Sequence, residues 1–510
     1  MSASPNVVLI TCHDLGCYLG CYGAAVETPR IDEFAASGAL FENHYVTAPQ
    51  CSPSRGSLLT GRYPHVNGLM GLAHGEWELH DGERILSHYL GDLGYETHLF
   101  GLQHITQDTD RLQFDYVHSE GNLYPGVSPA VHQANRARNV ADVVSGFLER
   151  GGYDTPFFAS IGFFELHRVE EENGRFGFDS DHYETADPDT IQPPSFLPDR
   201  RGIRQDLAEM HGMVRAVDDA VGTILDALER CGLEEETLVV FTTEHGIAFP
   251  RAKGSCYDAG IEAALLLRYP GVADGGVRYD ELLSNVDVLP TILDLVTDEE
   301  RTGADAESDA DSTDEDGTGG DPTDDGGTGS DSANGDGTDA DSIGDGYGRG
   351  TDSIGDADLE TSRDLDGRSF YALLTDDRYE PREQLFAEMT WHDMYNPVRA
   401  IRTERYKYIK NFWHLPKVYL TKDIFASEAG RMVRESDGVP VRPYEELYDL
   451  RESPQEDENV AFEPKYQEVR RDLAERLHEW MQSTDDPLLE GPVVPGDYDA
   501  ITSWPHESGD

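Results

Sequence analysis

Three short apolar runs, each closed by acidic and histidine residues, restrict this chain more than any other feature. Residues 6–11 (NVVLIT) lead into His13-Asp14, residues 157–164 (FFASIGFF) into Glu165-Leu166-His167, and residues 237–243 (TLVVFTT) into Glu244-His245-Gly246. Runs of this length are short for helices. Their β-branched and aromatic residues leave no polar face, so they read as strands buried on both sides in a parallel sheet. Parallel strands need crossover connections, and helical periodicity around 132–150 and 203–231 supplies them. The pattern predicts an α/β domain with a largely parallel central sheet. Ligands in such sheets bind beyond the carboxyl ends of the strands, where the three polar clusters would converge. Strands that simply end in polar residues explain any one cluster, but fit all three poorly.

The segment Cys51–Gly61 (CSPSRGSLLTG) joins a lone cysteine, a proline, an arginine and a helix start. Pro53 suits the first turn of a helix, whose unpaired N–H groups favour negative charge near Cys51. Arg55 adds a permanent cation with forked donors suited to a tetrahedral oxyanion. The plainer alternative is that a buried cysteine is a small hydrophobe and that a Ser/Pro/Arg run only opens a helix. Anion chemistry is favoured because the other parts of a site follow in order along the chain.

The formal charge is −59, and only six of the 40 basic residues are lysine. Nucleic acid is therefore excluded as an expected partner. An acidic, lysine-poor surface reads as adaptation to high salt, with binding of basic partners as the rival explanation. Between 302 and 360, 19 acidic residues face the single Arg349. The whole stretch 299–364 reads as a solvated, disordered insert, and its patches such as DSTDEDG lack the terminal glutamate of a calcium loop. Residues 1–298 form the expected catalytic domain. Residues 365–510 form a smaller α+β subdomain, with strands expected at 385–389, 398–403 and 406–411 and a helix at about 464–482.

MSASPNVVLITC has no charged n-region or long apolar h-region, and no apolar run reaches the roughly 18 residues that span a bilayer. A cytoplasmic protein with no membrane partner is expected. Six cysteines (Cys12, Cys17, Cys21, Cys51, Cys231, Cys256) make no disulfide scaffold in so long a chain. Cys12, Cys17 and Cys21 beside His13 offer zinc ligands but lack a CxxC pair.

Taken together, NVVLIT-HD, TPRIDEFAASG, CSPSRGSLLTGRYPH, FTTEHG and the late AIRTERYKYIKN block resemble the sulfatase family in content and order, over most of the chain outside the insert. CSPSR, Leu166-His167-Arg168 and the EHGIAFP loop are most similar to its sulfamidase branch. The resemblance implies an alkaline-phosphatase-like fold, with a mixed, largely parallel sheet between helices. It implies that a formylglycine-generating enzyme oxidises Cys51 to formylglycine (3-oxoalanine), whose hydrate attacks sulfur and then expels sulfate. A plain cysteine or serine lacks the second hydroxyl needed to complete that turnover. It further implies that His13, Asp14, Glu244 and His245, with an oxygen of the modified Cys51, hold a divalent metal. Arg55 would hold the hydrate, His104 act on its second hydroxyl, His167 serve as general acid toward the leaving group, and Lys253 touch the sulfate. Calcium is the family expectation. His13 and Glu244 depart from the family's usual residues, and two imidazoles with two carboxylates also suit manganese or zinc.

Composition singles out Lys253 as well, since it is the only lysine in the first 406 residues. A second departure is Gly101-Leu102-Gln103-His104. The family commonly carries a lysine directly after that glycine, so one cation is missing unless Gln103 or another group substitutes. Cys256, Tyr257 and Asp258, and from the C-terminal subdomain Trp391, His392 and Asn396, are further pocket candidates, Trp391 being equally suited to packing an interface. The expected function is hydrolysis of sulfate esters or sulfamates on a small sulfated substrate such as a sugar of N-sulfoglucosamine type. The alternatives are a phosphomonoester or phosphonate monoester hydrolase of the same superfamily, and a non-catalytic binder of sulfated glycans with Cys51 unmodified.

Overall fold

The computed structural model describes residues 4–75, 77–118, 129–298, 365–375, 378–435 and 441–494. The acidic insert expected at 299–364 lies outside the described residues. Ten strands come from the N-terminal portion: β1 (Asn6–Cys12), β2 (Ala39–Tyr45), β3 (Glu96–Gly101), β4 (Tyr116–Val117), β5 (Phe157–Gly162), β6 (Val169–Glu170), β7 (Phe176–Gly177), β8 (Thr237–Thr243), β9 (Leu265–Arg268) and β10 (Val277–Ser284). Eight of them form one sheet in the order β10-β2-β9-β8-β1-β5-β3-β4, and β6 with β7 makes a separate ribbon. Within the large sheet β9 runs antiparallel to β2 and β8, and every other pairing is parallel.

The three apolar runs are the neighbours β5, β1 and β8, with Ile10 paired to Ile161 on one side and Phe241 on the other. Their alternation feeds two cores. Val8, Ile10 and Cys12 face one cluster, and Val7 and Leu9 face the other. The first cluster is covered by α1 (Pro29–Ser37), α3 (Ala137–Arg150) and α4 (Arg201–Cys231), the second by α2 (Cys51–Thr60) and α5 (Val288–Thr297). Both faces of β1 are therefore dry, which is why its sequence shows no period of two. Each fully buried Val, Leu or Ile contributes about 1.5–3 kcal/mol relative to exposure. Two expectations shift here. The strand at 157 stops at Gly162, and the helical stretch 132–150 is divided between Pro129–Ala134 and Ala137–Arg150.

The C-terminal portion supplies a four-stranded antiparallel sheet, β11 (Gln384–Trp391), β12 (Tyr395–Thr403), β13 (Tyr406–Asn411) and β14 (Glu445–Asp449), in that order. The helix α6 (Gln467–Ser483) covers it through Leu473, Leu477, Trp480 and Met481. The described residues within 4–298 and 365–494 form one compact unit. The Arg382 guanidinium bonds the Asp287 carboxylate, His65 meets Glu388 at 2.8 Å, and Glu388 N donates to Thr47 O at 2.7 Å. No helix among the described residues is long and apolar enough to cross a membrane.

Buried His44 on β2 gives the fold a pH dependence of known sign. Its Nδ1–H donates to Ala263 O at 3.0 Å, while burial depresses its pKa to about 4. An unfolded histidine titrates near 6.5, so between those values the unfolded chain binds more protons. The stability present above about pH 6.5 is thus lost as pH falls, by about 2 kcal/mol at pH 5. Chemical unfolding at pH 7.5 and 5 is expected to show wild type losing that much more than His44→Asn.

Candidate active site

Because β8, β1 and β5 are parallel neighbours, their carboxyl ends share one edge of the sheet. His13 and Asp14 follow β1, Glu244 and His245 follow β8, His167 follows β5, and His104 follows β3 beyond it. Close approach of the β3 and β5 ends depends on glycine. A Cβ on Gly162 would stand 1.8 Å from Leu102 O, and one on Gly101 would stand 2.1 Å from Gly162 O. Asp14 and His104 adopt left-handed backbone, with φ of 48° and 56°. That conformation costs a non-glycine residue about 1–3 kcal/mol, and the surrounding packing holds it here.

Four side chains form a cage. His13 Nδ1 lies 2.9 Å from Asp14 Oδ1 and 2.8 Å from Glu244 Oε1; His245 Nε2 lies 3.1 and 3.2 Å from the same two oxygens. These four atoms are buried, have no hydrogen-bond partner, and belong to a group whose ligand atoms lie within 4.8 Å of one another. Lone pairs aimed at one point are costly unless a cation stands among them, so the donor set fits a divalent metal. Burial alone would neutralise each group. Glu244 and Asp14 nevertheless raise His13 well above its ordinary value, and the Cys51, Glu244 and Asp14 contacts raise His245 to about 9. Against the same burial, Arg55 and His13 hold Glu244, and Lys253 and His13 hold Asp14, well below the carboxylate range.

Cys51 opens α2, a helix buried at all ten positions, with Pro53 in its first turn. Ser54 Oγ donates to Glu244 O, Ala73 N donates to Ser52 Oγ at 3.0 Å, and Asn285 Nδ2 donates to Ser54 O at 3.0 Å. These bonds pin the helix start against the cage. Burial opposes ionisation of the Cys51 thiol, but His104, His13 and His245 around it bring its pKa well below the ordinary value. The Arg55 Nε–H donates to Glu244 Oε2, while its Nη2 is buried with no hydrogen-bond partner. His104 Nε2 meets His74 Nδ1 at 3.1 Å with the rings stacked, leaving His104 Nδ1 buried and without a hydrogen-bond partner.

A cavity of about 280 Å³ opens above Cys51, lined also by His74, His104, His167, Glu170, His392, Asp393, Lys422 and Asp423 among others. A larger cavity of about 460 Å³, lined by Cys17, Tyr18, Gln192 and Phe196, contains neither Cys51 nor His104 nor His167. Chemistry therefore selects the smaller one. His167 Nδ1–H donates to Arg168 O at 2.6 Å, and burial, Lys253 and His13 lower its pKa to about 3.

The sulfatase family model matches residues 5–298. The chain belongs to the sulfatase family. Human N-sulphoglucosamine sulphohydrolase is 25% identical to this sulfatase over 522 residues, 96% of this chain and 92% of the relative. Among solved structures, one described under metabolism of multiple glycosaminoglycans by Bacteroides thetaiotaomicron matches with a TM-score of 0.67 at 18% identity, over 98% of this chain and 100% of that one. The phosphonate monoester hydrolase of Agrobacterium radiobacter matches with a TM-score of 0.60 at 20% identity, over 94% and 96%. The fold is the alkaline-phosphatase-like one, and the protein is a sulfuric ester hydrolase of a family that uses formylglycine and a divalent metal.

Several residues of this sulfatase stand elsewhere than the sequence suggests. Glu165 turns away from the rim, because its carboxylate accepts from Ala137 N at 3.0 Å and from Tyr183 Oη, capping α3. Lys253 does not line the cavity. Its ammonium is buried between Asp14 Oδ2 at 2.9 Å and Asp423 Oδ2 at 3.1 Å. Gln103 replaces no cation, since its amide carbonyl accepts from Ile105 N and its nitrogen donates to Thr106 O. Tyr257 donates to Glu446 and Asp258 pairs with Lys407, while Cys256 O accepts from Lys407, so that trio serves the C-terminal sheet. Trp391 donates to Val493 O and tilts against Trp77 and Tyr395, and Asn396 donates to Met389; His392 alone of the C-terminal candidates reaches the cavity. Among the described residues no metal-type group contains Cys12, Cys17 or Cys21. Sequence reasoning missed His74 and Asp423. Neither carries a local signal, since both reach the site only through folding.

Proposed function

We propose that this sulfatase hydrolyses sulfate esters or sulfamates of small sulfated sugars, of the N-sulfoglucosamine kind. Cys51 is matured to formylglycine, and a divalent cation is held by His13, Asp14, Glu244 and His245. One observation carries the reading: four buried ligand atoms that face one another at 2.8–3.2 Å stand beside the cysteine that opens α2. The substrate kind is supported by likeness to N-sulphoglucosamine sulphohydrolase along nearly its full length. Formylglycine supplies a hydrated aldehyde as nucleophile, and the cation supplies positive charge where oxyanions develop.

The chain's own residues do the rest. Glu244 fixes Arg55 by its Nε, which leaves Nη2 to donate to an oxygen of the bound anion. His74 orients His104, whose Nδ1 is placed to exchange a proton with the group at position 51. His167 presents Nε2 to the leaving group, its tautomer set by the bond from Nδ1–H to Arg168 O. Without substrate His167 is neutral; a sulfate anion beside it favours imidazolium, the form that protonates a departing amine or alcohol.

His167→Gln is therefore expected to lower kcat about 100-fold on a sulfated sugar and less than about 10-fold on 4-nitrophenyl sulfate, whose leaving group needs no proton. Equal losses on both would remove His167 as the acid. The whole reading is tested by the mass of the tryptic peptide spanning Cys51 from the native host, with turnover of aryl sulfate against aryl phosphate. Aldehyde at position 51 and preference for sulfate are expected. Thiol throughout supports the silent binder, and a large preference for phosphate supports the phosphoester hydrolase.

A further inference from the structure

Among the described residues that line the cavity over Cys51, Lys422 is the one lysine or arginine. The other cations nearby are already committed. Arg55 is bound to Glu244, and Lys253 lies between Asp14 and Asp423. Both are buried, with 4% and 1% of their surface exposed. Lys422, in contrast, is exposed, and its ammonium makes no ion pair among the described residues; its contact is the Phe176 ring, 5.9 Å from Nζ. The chain carries 99 acidic residues and six lysines, and buried Lys253 and Lys407 each meet two carboxylates. Lys465 meets one carboxylate, whereas Lys410, Lys417 and Lys422 make no ion pair among the described residues, and of these three only Lys422 lines the cavity.

Position adds to charge. The backbone N–H of Lys422 donates to Asp393 Oδ2 at 2.5 Å, and the next residue, Asp423, is anchored to Lys253 and Thr421, so the short helix Lys422–Phe425 is fixed against the wall. Cys51, His104 and His167 form the buried floor, at 2–5% exposure, whereas Lys422 stands at the exposed mouth. The other charged wall residues, Glu170, Asp393 and Asp423, are carboxylates. His392 on the same wall is held by Asp393 at 3.0 Å, so Lys422 is the wall cation without a carboxylate partner among the described residues, and the one placed to meet a further negative charge on a sugar whose one sulfate occupies the floor.

We propose that Lys422 recognises a second anionic group of the substrate, a sulfate or a carboxylate, and thereby selects multiply charged sugars over singly sulfated ones. This rests on the sugar reading of the floor given under Proposed function. The test measures competitive inhibition of 4-nitrophenyl sulfate hydrolysis by three sugars: glucosamine 2-N-sulfate, glucosamine 2-N,6-O-disulfate, and a disaccharide joining a uronate to N-sulfoglucosamine. At least one of the doubly charged sugars is expected to bind about tenfold more tightly than the first, which distinguishes a sulfate from a carboxylate as the recognised group. Lys422→Gln is expected to abolish that ratio and Lys422→Arg to keep it. Raising NaCl from about 0.1 to about 1 M is expected to compress it in wild type. A ratio near one in wild type, a ratio that survives Lys422→Gln, or equal weakening of all three sugars overturns the assignment. Absence of any aryl sulfate turnover would count against the reading of the floor instead. The same affinity ratio, measured by calorimetry, then still decides Lys422.

Discussion

Cys51→Ala is expected to abolish hydrolysis of 4-nitrophenyl sulfate, with kcat/KM falling by about 10,000-fold or more. The change removes one buried sulfur from the first residue of α2 and leaves the helix start anchored by Ser52, Ser54 and Asn285. The fold therefore persists, as circular dichroism and an unfolding curve should report. Cys51→Ser is the sharper variant. It keeps a nucleophilic oxygen at the same place but offers no thiol to an enzyme that oxidises cysteine and has only one hydroxyl, so it should be nearly as inactive. Arg55, His104 and His167 remain in both variants. If either kept more than about a hundredth of the wild-type rate, the nucleophile would have to be sought elsewhere.

The second large effect is expected at Glu244. Its Oε1 faces His13 and His245, and its Oε2 accepts from Arg55, all with the carboxylate fully buried. Glu244→Gln keeps the shape, removes one anionic ligand, and leaves the Arg55 charge without its counterion. Loss of a buried partner of this kind costs about 3–5 kcal/mol, and affinity for a divalent cation should fall about 100-fold or more. Elemental analysis after dialysis is expected to find near-stoichiometric metal in wild type and little in the variant. Thermal shifts with calcium, manganese and zinc then identify the ion. Two imidazole donors favour manganese or zinc, and the family expectation favours calcium. Full metal content in Glu244→Gln would show that the cage is not the site.

The legibility of these residues differs for physical reasons. β1 and β8 were readable because both faces are buried, and a strand without a polar face has few other interpretations. The antiparallel insertion of β9 between β2 and β8 was not readable, since three leucines and an arginine carry no sign of direction. His13, Asp14, Glu244 and His245 could be grouped because strand ends share an edge. The same logic misplaced Glu165, whose carboxylate serves Ala137 and Tyr183 instead. Lys253 was conspicuous by composition, but its partner Asp423 lies 170 residues away and belongs to a four-residue helix.

The local pattern of the chain determined the α/β class, the helix start at Cys51 and the donor types that meet at the rim, because these depend on hydrophobic periodicity and on chemistry carried by neighbouring residues. Tertiary structure alone decided which donors face one another, that Lys253 is consumed by two carboxylates, and that His392 and Lys422 complete a cavity begun by the N-terminal strands. Such contacts join residues hundreds of positions apart, and the energy that selects them comes from burial and pairing, which no short window of sequence contains.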